Sequence, residues 1–230
     1  IRKQLQYYFG NGGRGVLFPY ALAKSFGPRG LILKTNKKWI GEKTLTPNLS
    51  NKLGFIGYAA FTNDSNSSIS LNFTENFEGS PFKKINIWHS SDSESYVFKL
   101  NNEFKFLENK LNPSGWGLSS FYSNTSTNTF SLFPFKTNTK QNHFGFYGFE
   151  LISDIKYGVN YHHCVVVGAQ FTHLINNSPW SIEQIAQLNP DIIIFSFGTN
   201  EAYNKDLDTS FYKSSIIKFM QDLEIASPKT

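Results

Sequence analysis

The sequence predicts an α/β fold with a parallel sheet, interrupted by an inserted antiparallel β-sandwich. Two short apolar runs, 165–167 and 192–197, have the β-branched composition of strands buried on both faces of a parallel sheet. A helical pattern separates them, and a right-handed strand–helix–strand crossover makes such strands parallel. From about 40 to 150, short alternating segments follow one another instead, which is typical of half-buried antiparallel strands.

Length and composition set the domain organisation and exclude some functions. At 230 residues and 40% hydrophobic content, the chain exceeds the usual single domain and is able to build a core. The formal net charge is +5, but the basic residues are scattered, so we expect no nucleic-acid partner. No apolar run is long enough for a transmembrane segment, and a single cysteine excludes an internal disulfide. We expect no metal and no cofactor, and the sequence leaves the oligomeric state unknown.

The first 39 residues predict a helix and a glycine-rich loop. Ile1, Leu5 and Tyr8 repeat at helical spacing, and Gly10 is a plausible helix terminator. The loop 10–15 holds four glycines around Asn11 and Arg14. It lacks the Gly-Lys-Ser/Thr of a phosphate loop. No strand precedes it, as a dinucleotide-binding fingerprint requires, so the sequence favours neither kind of nucleotide site. Either the loop is a tight turn packed against the sheet, or Asn11 and Arg14 lie at the rim of a binding site.

The middle of the chain predicts strands at 68–74, 84–88, 96–100 and 129–133, where polar and apolar residues alternate. Trp88 and Trp116 fall in this region. Exposed tryptophans could stack on sugar rings, but sandwich cores commonly use aromatic residues, so burial is the favoured interpretation for either one.

The last 80 residues predict a second α/β segment. A strand over 161–167 ends at Gly168, where glycine permits close approach of a ligand to the backbone. Ser181 and Gln184 fit a capping box at the start of a helix. The final helix starts near 208 or 209, with a buried stripe of Ile216, Phe219, Met220 and Leu223. Gly198 and then the polar residues 199–201 follow the 192–197 run, at the position where open α/β sheets bind their ligands.

These motifs resemble a known family. Phe-Gly-Thr-Asn-Glu-Ala at 197–202 is similar to the third block of the SGNH (GDSL-like) esterases, and Val-Gly-Ala-Gln at 167–170 resembles the second. The segment 10–20 is similar to one in the peptidoglycan O-acetylesterase subgroup. The resemblance implies a three-layer αβα domain, incomplete at both ends, formed by 1–39 and 151–230. It also implies that 40–150 is a carbohydrate-binding-like insertion, and that the protein is secreted or periplasmic.

The resemblance implies an acetylesterase, a carboxylic ester hydrolase that acts on O-acetylated peptidoglycan or another polysaccharide. Gly168 and Asn200 would then be the catalytic oxyanion-hole donors, through a main-chain N–H and a side-chain amide. The residues expected to bind substrate are Asn11, Arg14, Thr199, Glu201 and Tyr203, although support of the loop is the favoured role for Thr199 and Glu201. Neither the family's Gly-Asp-Ser nor its Asp-x-x-His occurs in the sequence. We interpret the chain as a fragment that is inactive alone; a non-catalytic carbohydrate-binding protein with a decayed hydrolase domain is the alternative.

Overall fold

The computed structural model describes residues 1–36, 38–74, 81–153, 157–164 and 166–228. The chain forms two compact units, each built from two stretches of sequence. The first unit comprises Ile1–Gly41 and Ala59–His163, and the second comprises Glu42–Tyr58 and Cys164–Thr230. No helix within the described ranges is long and apolar enough to cross a membrane.

The first part of the chain, as far as residue 160, is dominated by β-strands. Among the described residues of this part, the one α-helix is α1 (Arg2–Phe9), which ends at Gly10 with φ +88°, as the sequence predicts. A short 3-10 turn spans Tyr20–Ala23. The strands are β1 (Asn11–Leu17), β2 (Leu31–Thr35), β3 (Ile40–Lys43), β4 (Tyr58–Thr62), β5 (Ile69–Phe73), β6 (Phe82–Ser90), β7 (Val97–Leu100), β8 (Phe104–Asn112), β9 (Trp116–Thr127), β10 (Thr129–Phe135), β11 (Phe144–Ile152) and β12 (Val159–Asn160).

The strands form two sheets. The larger sheet has the order β12-β1-β11-β6-β9-β8, with β4 pairing with both β11 and β3, and the smaller has the order β2-β5-β10-β7. The pairs whose register is described are antiparallel, except that β1 and β12 pair in parallel at two positions. Hydrogen bonding in this unit therefore runs almost entirely between antiparallel neighbours.

Aromatic side chains fill the space between the two sheets. The ring centroids of Phe73 and Phe82 lie 5.6 Å apart, and those of Phe130 and Phe149 lie 5.2 Å apart. Each pair joins a strand of the smaller sheet to one of the larger, so the aromatic residues build a shared core. Trp88 and Trp116 are buried as well, at 0% and 2% exposure, and neither presents a ring to a sugar.

The second unit is helical. Its elements are α2 (Phe171–Asn177), α3 (Ser181–Ala186), a 3-10 turn (Glu201–Tyr203) and α4 (Thr209–Ala226). Phe171, Phe219 and Leu223 form its core, against which Ile193 and Phe195 pack. α4 begins where the sequence predicts, but Met220 is 52% exposed and does not belong to the buried stripe.

Ser181 does not cap α3, contrary to the predicted capping box. It is the first helical residue, the N-cap is Trp180, and no side-chain cap bond forms. The side chain of Gln184 is instead fully buried, and its Oε1 accepts a hydrogen bond of 2.9 Å from the main-chain N–H of Phe55. Gln184 therefore ties α3 to the segment 42–58 of the same unit.

The predicted three-layer αβα fold with a parallel sheet is wrong. Residues 192–197 form no strand, and Ile192 and Ile194 are 79% and 81% exposed. A strand buried on both faces needs a hydrogen-bonded neighbour, and the described residues provide no ladder for this run. The segments 161–164 and 166–167 form no strand either, and Val165 lies outside the described residues.

The glycine-rich stretch after α1 is also different from its prediction. Most of it belongs to strand β1, which pairs with β11 and β12, so it is not a loop. Gly15 has φ +79°, and a Cβ there would overlap the carbonyl of Tyr161. Glycine is required at this position because the neighbouring backbone lies too close for a side chain.

Candidate functional site

Two loops of the second unit, 166–171 and 198–203, are held together by hydrogen bonds. The Nδ2 of Asn200 donates to the carbonyl oxygen of Ala169 over 2.8 Å. In the other direction, the Nε2 of Gln170 donates to the carbonyl oxygen of Asn200 over 3.2 Å. The structure therefore places Gly168 and Asn200 in neighbouring loops, although the parallel strands that were expected to bring them together do not form.

Gly168 lies in a tight, exposed turn. The N–H of Ala169 donates to the carbonyl of Val166 over 3.0 Å, and Gly168 has φ +86°. This conformation favours glycine at the third position of the turn. The main-chain N–H of Gly168 makes no hydrogen bond to any residue in the described part of the chain. Within the described residues, this N–H therefore remains available to a ligand.

Asn200 has a carboxamide of fixed orientation and remaining donor capacity. An amide nitrogen carries two hydrogens, and one of them is used by the carbonyl of Ala169. Its second hydrogen and its Oδ1 have no hydrogen-bond partner among the described residues, and the side chain is partly exposed. The bond to Ala169 holds the carboxamide in place while leaving one N–H for a bound anion.

Glu201 is a buried carboxylate that joins the same two loops. Its side chain is 2% exposed. One oxygen accepts from the N–H of Phe171 over 2.6 Å and the other accepts from the N–H of Gly198 over 2.8 Å. Such charge-assisted bonds are among the stronger ones in proteins. Because both oxygens are occupied, Glu201 positions the loops and has no oxygen facing outward for substrate.

An aromatic cluster lies against the two loops. The ring of Phe171 contacts those of Phe197, Tyr212 and Phe219, with centroids 5.3, 6.4 and 5.5 Å apart. Burial and then the negative charge of Glu201 raise the pKa of Tyr212. The cluster gives the loops a rigid apolar support on one side.

His173 also has a structural role in the loop. Its Nδ1 accepts a hydrogen bond of 2.8 Å from the main-chain N–H of Gln170. In the neutral ring this acceptor role places the proton on Nε2. His173 therefore fixes the start of α2, and its accepting nitrogen is occupied.

The other candidate residues are divided between the two units. Thr199 and Tyr203 are exposed on the same loop as Asn200, Tyr203 at 85%. Asn11 and Arg14 lie on β1 of the first unit, where the Oδ1 of Asn11 accepts from the N–H of Gly13 over 3.1 Å. Burial and then the positive charge of Arg2 lower the pKa of Arg14 to about 10. The structure thus brings five of the candidates into one unit and two into the other.

Sequence reasoning favoured a loop-supporting role for Glu201 but missed two other residues that hold the loops. Ala169 and Gln170 provide the carbonyl and the amide that bond to Asn200, and their positions beside Gly168 were the only available signal. Nothing in the sequence indicated that Glu201 is buried, because an acidic residue in a polar loop is usually exposed. Within the described ranges, no group of three His, Cys, Asp or Glu side chains could hold a metal ion.

No protein-family model matches this sequence, and a search of curated proteins finds no match. The two sheets of the structure are built almost entirely from antiparallel pairs rather than from a parallel sheet between helical layers. The SGNH resemblance is therefore wrong as a statement about this chain's family and fold. The short motifs at 167–170 and 197–202 are similar in sequence only.

Proposed function

We propose that the loop site at Gly168 and Asn200 stabilises the negatively charged oxygen formed during hydrolysis of a carboxylic ester, with an O-acetylated cell-wall or other polysaccharide as substrate. The observation that carries the proposal is the bond between the Nδ2 of Asn200 and the carbonyl of Ala169, which aligns a carboxamide beside the exposed turn of Gly168. Both residues keep a donor N–H that is not used within the described residues.

The chemistry requires donors that are fixed before the reaction. When a nucleophile adds to the acetyl carbonyl carbon, the carbonyl oxygen becomes negative. Donors held at that position stabilise the charge without reorganising during the step. The positive φ of Gly168 and the buried carboxylate of Glu201 both restrict the loops, which supports a pre-arranged site.

The remaining catalytic groups are not identified in this sequence. No Gly-Asp-Ser and no Asp-x-x-His occurs in it, so the proposal assigns no serine nucleophile and no base among these residues. We therefore expect the 230 residues alone to release no acetate. A polysaccharide substrate implies a secreted or periplasmic location, which forms part of the proposal.

The absence of both motifs favours a second candidate function, a carbohydrate-binding protein without catalysis. The two candidates differ in one measurable property, the release of acetate. Protein expressed from the complete gene is incubated with O-acetylated peptidoglycan and acetylated xylan, and acetate is measured over time. Glycan binding with no acetate release from either substrate would favour the second candidate.

In protein expressed from the complete gene, the Asn200→Ala variant tests the role of the carboxamide. Loss of one oxyanion donor typically lowers kcat by roughly 100- to 1000-fold. We expect that loss with little change in thermal stability, because Asn200 is partly exposed. Asn204→Ala, directly after the same loop, is the matched control and should retain the rate of the parent protein. Near-normal kcat in Asn200→Ala would remove Asn200 from the proposed role.

A further inference from the structure

The larger sheet of the first unit has a long edge that is paired on one side only. β8 (Phe104–Asn112) is the last strand in the order of that sheet, and β9 is its one neighbour among the described strands. Each residue from 105 to 111 is exposed. Main-chain N–H and C=O groups on the outer side of an edge strand are able to pair with another chain.

The two faces of β8 differ in chemistry. Residues 105, 108 and 110 lie opposite β9 residues that are two apart, so Lys105, Glu108 and Lys110 project from one face. Phe106 and Leu111 project from the other face, and they are 59% and 62% exposed. The irregularity in register between Phe106 and Glu108 produces this division. A charged row and an apolar row therefore run along the same free edge.

The order of charges on β8 favours pairing with a second strand. Lysines often protect an edge strand, because pairing of two copies brings like charges together. On β8, however, Glu108 lies between Lys105 and Lys110 on the charged face. Among the described residues, no ion pair engages any of the three side chains. Each remains able to pair with a charge on another chain.

We propose that β8 pairs with β8 of a second copy of this chain, antiparallel and related by a two-fold axis at Asn109. In this register, Glu108 of each copy faces Lys110 of the other on the charged face. On the opposite face, Leu111 of each copy faces the irregular segment of the other, where Phe106 is exposed. Opposite charges and apolar side chains that face each other directly both stabilise an antiparallel pair.

The neighbouring registers are less favourable. A two-fold axis at Glu108 opposes Glu108 to its own copy and Lys105 to Lys110, and an axis at Lys110 opposes two lysines. An axis at the irregularity between 106 and 108 brings two bulged segments together, where the regular ladder is disrupted. The register at Asn109 is the one that matches charge with opposite charge along regular strand.

The proposed contact is self-limiting. A two-fold interface uses the same surface on both copies, so each β8 edge is consumed when the dimer forms. The strand at the opposite end of the sheet order, β12, has two residues, Val159 and Asn160, and offers a much shorter edge. The larger sheet therefore continues from one copy to the other through β8, and a closed dimer is the expected product.

Sedimentation-velocity ultracentrifugation over a range of protein concentrations at low salt tests the proposal by exchanging charges. Glu108→Lys and Lys110→Glu should each weaken the dimer about tenfold, because each turns two symmetry-related attractions into repulsions. The two substitutions combined restore the attraction with the signs reversed, so the double variant should dimerise as the parent does. Lys105→Glu is the matched control and should not weaken the dimer, because Lys105 faces the uncharged Asn112 of the other copy.

Thermal unfolding of the same variants separates loss of pairing from loss of folding. Residues 105, 108 and 110 are exposed, so each variant should keep the Tm of the parent protein. A monomer at all concentrations, a dimer unaffected by both single exchanges, or a loss that the double variant fails to restore would overturn the proposal. A dimer weakened by Lys105→Glu would overturn the register at Asn109. Dimerisation involves no ester hydrolysis, so its failure is distinct from failure of the proposed activity.

Discussion

Glu201 shows how one residue determines the geometry of the candidate site. Its carboxylate is buried and accepts main-chain hydrogen bonds from both loops, at Phe171 and at Gly198. Because the two acceptor oxygens belong to one rigid carboxylate, the loops are held at a fixed separation. Gly168 and Asn200 depend on this arrangement even though neither contacts Glu201 in the bonds described.

The Glu201→Ala variant should therefore be less stable as a whole. Two main-chain N–H groups lose their acceptor, and an unsatisfied buried donor costs about 1–3 kcal/mol. We expect the free energy of unfolding to fall by about 3 kcal/mol in urea denaturation. Glu224→Ala, an exposed position on α4, is the control and should change it by less than about 0.5 kcal/mol. Equal stability of the two variants would show that Glu201 does not hold the loops.

His89 is a buried titratable group of the first unit. Its Nδ1 donates to the carbonyl of Ser90 and its Nε2 lies 2.8 Å from the Oγ of Ser119. Burial lowers its pKa from the ordinary value of 6.5 to about 4. Burial penalises the charged form, so the folded state holds this ring neutral.

This pKa shift predicts acid sensitivity with a definite sign. Above pH 6.5, the ring is neutral in both states and its contribution to stability is fully present. As the pH falls towards about 4, the unfolded chain takes up a proton that the folded chain does not, and about 3 kcal/mol is lost. Between pH 6.5 and 4, the Tm of the parent protein should fall as the pH falls, and the Tm of His89→Gln should fall less steeply. Parallel slopes would contradict the assignment.

At the scale of elements, residues 192–197 explain why the predicted fold was wrong. A short β-branched apolar run is consistent with a buried strand, but the run itself carries no information about whether a neighbour exists. In the structure the run packs on one side only, with Ile193 and Phe195 against the helical core and Ile192 and Ile194 exposed. Its main-chain groups make no hydrogen bonds within the described residues.

Such a segment should promote self-association of the chain at high concentration. Its main-chain N–H and C=O groups have no strand partner in the described part of the chain, and its exposed side chains are apolar, so a second chain can pair with it. We expect Ile194→Lys to reduce association in analytical ultracentrifugation while leaving Tm nearly unchanged. Ile193→Lys places the same charge on the opposite side, against the core, and should lower Tm instead. Equal effects of the two variants on association and on Tm would contradict the described difference in exposure between Ile193 and Ile194.

The helices at both ends of the chain were more readily predicted. α1 and α4 have apolar residues at helical spacing, and their ends have local signals: Gly10 after α1, and Asp208 before α4. The Oδ1 of Asp208 accepts the N–H groups of Ser210 and Phe211 at 3.0 and 2.9 Å. Local signals of this kind act within a few residues, so they can be identified without knowing the fold.

For the whole molecule, the sequence predicted local structure better than it predicted how elements pair. The segments at 69–73, 84–88, 97–100 and 129–133 are strands, as the alternation of polar and apolar residues indicates. The parallel sheet was wrong, because it depended on pairing between distant runs and on a family resemblance. The proximity of the loops at 168 and 200 depends on Ala169, Gln170 and Glu201, and side-chain bonds of this kind cannot be read from spacing.

The central claim is that the main-chain N–H of Gly168 and the carboxamide of Asn200 act together on one anion. The most direct test is a ¹H–¹⁵N correlation spectrum of the labelled chain during titration with methylphosphonate, a tetrahedral anion that resembles the acetyl addition intermediate. The account predicts that the amide signal of Gly168 and the side-chain NH₂ signal of Asn200 shift together and saturate at the same concentration. Saturable shifts at other residues while these two signals stay unchanged, or no shifts at all, would contradict it.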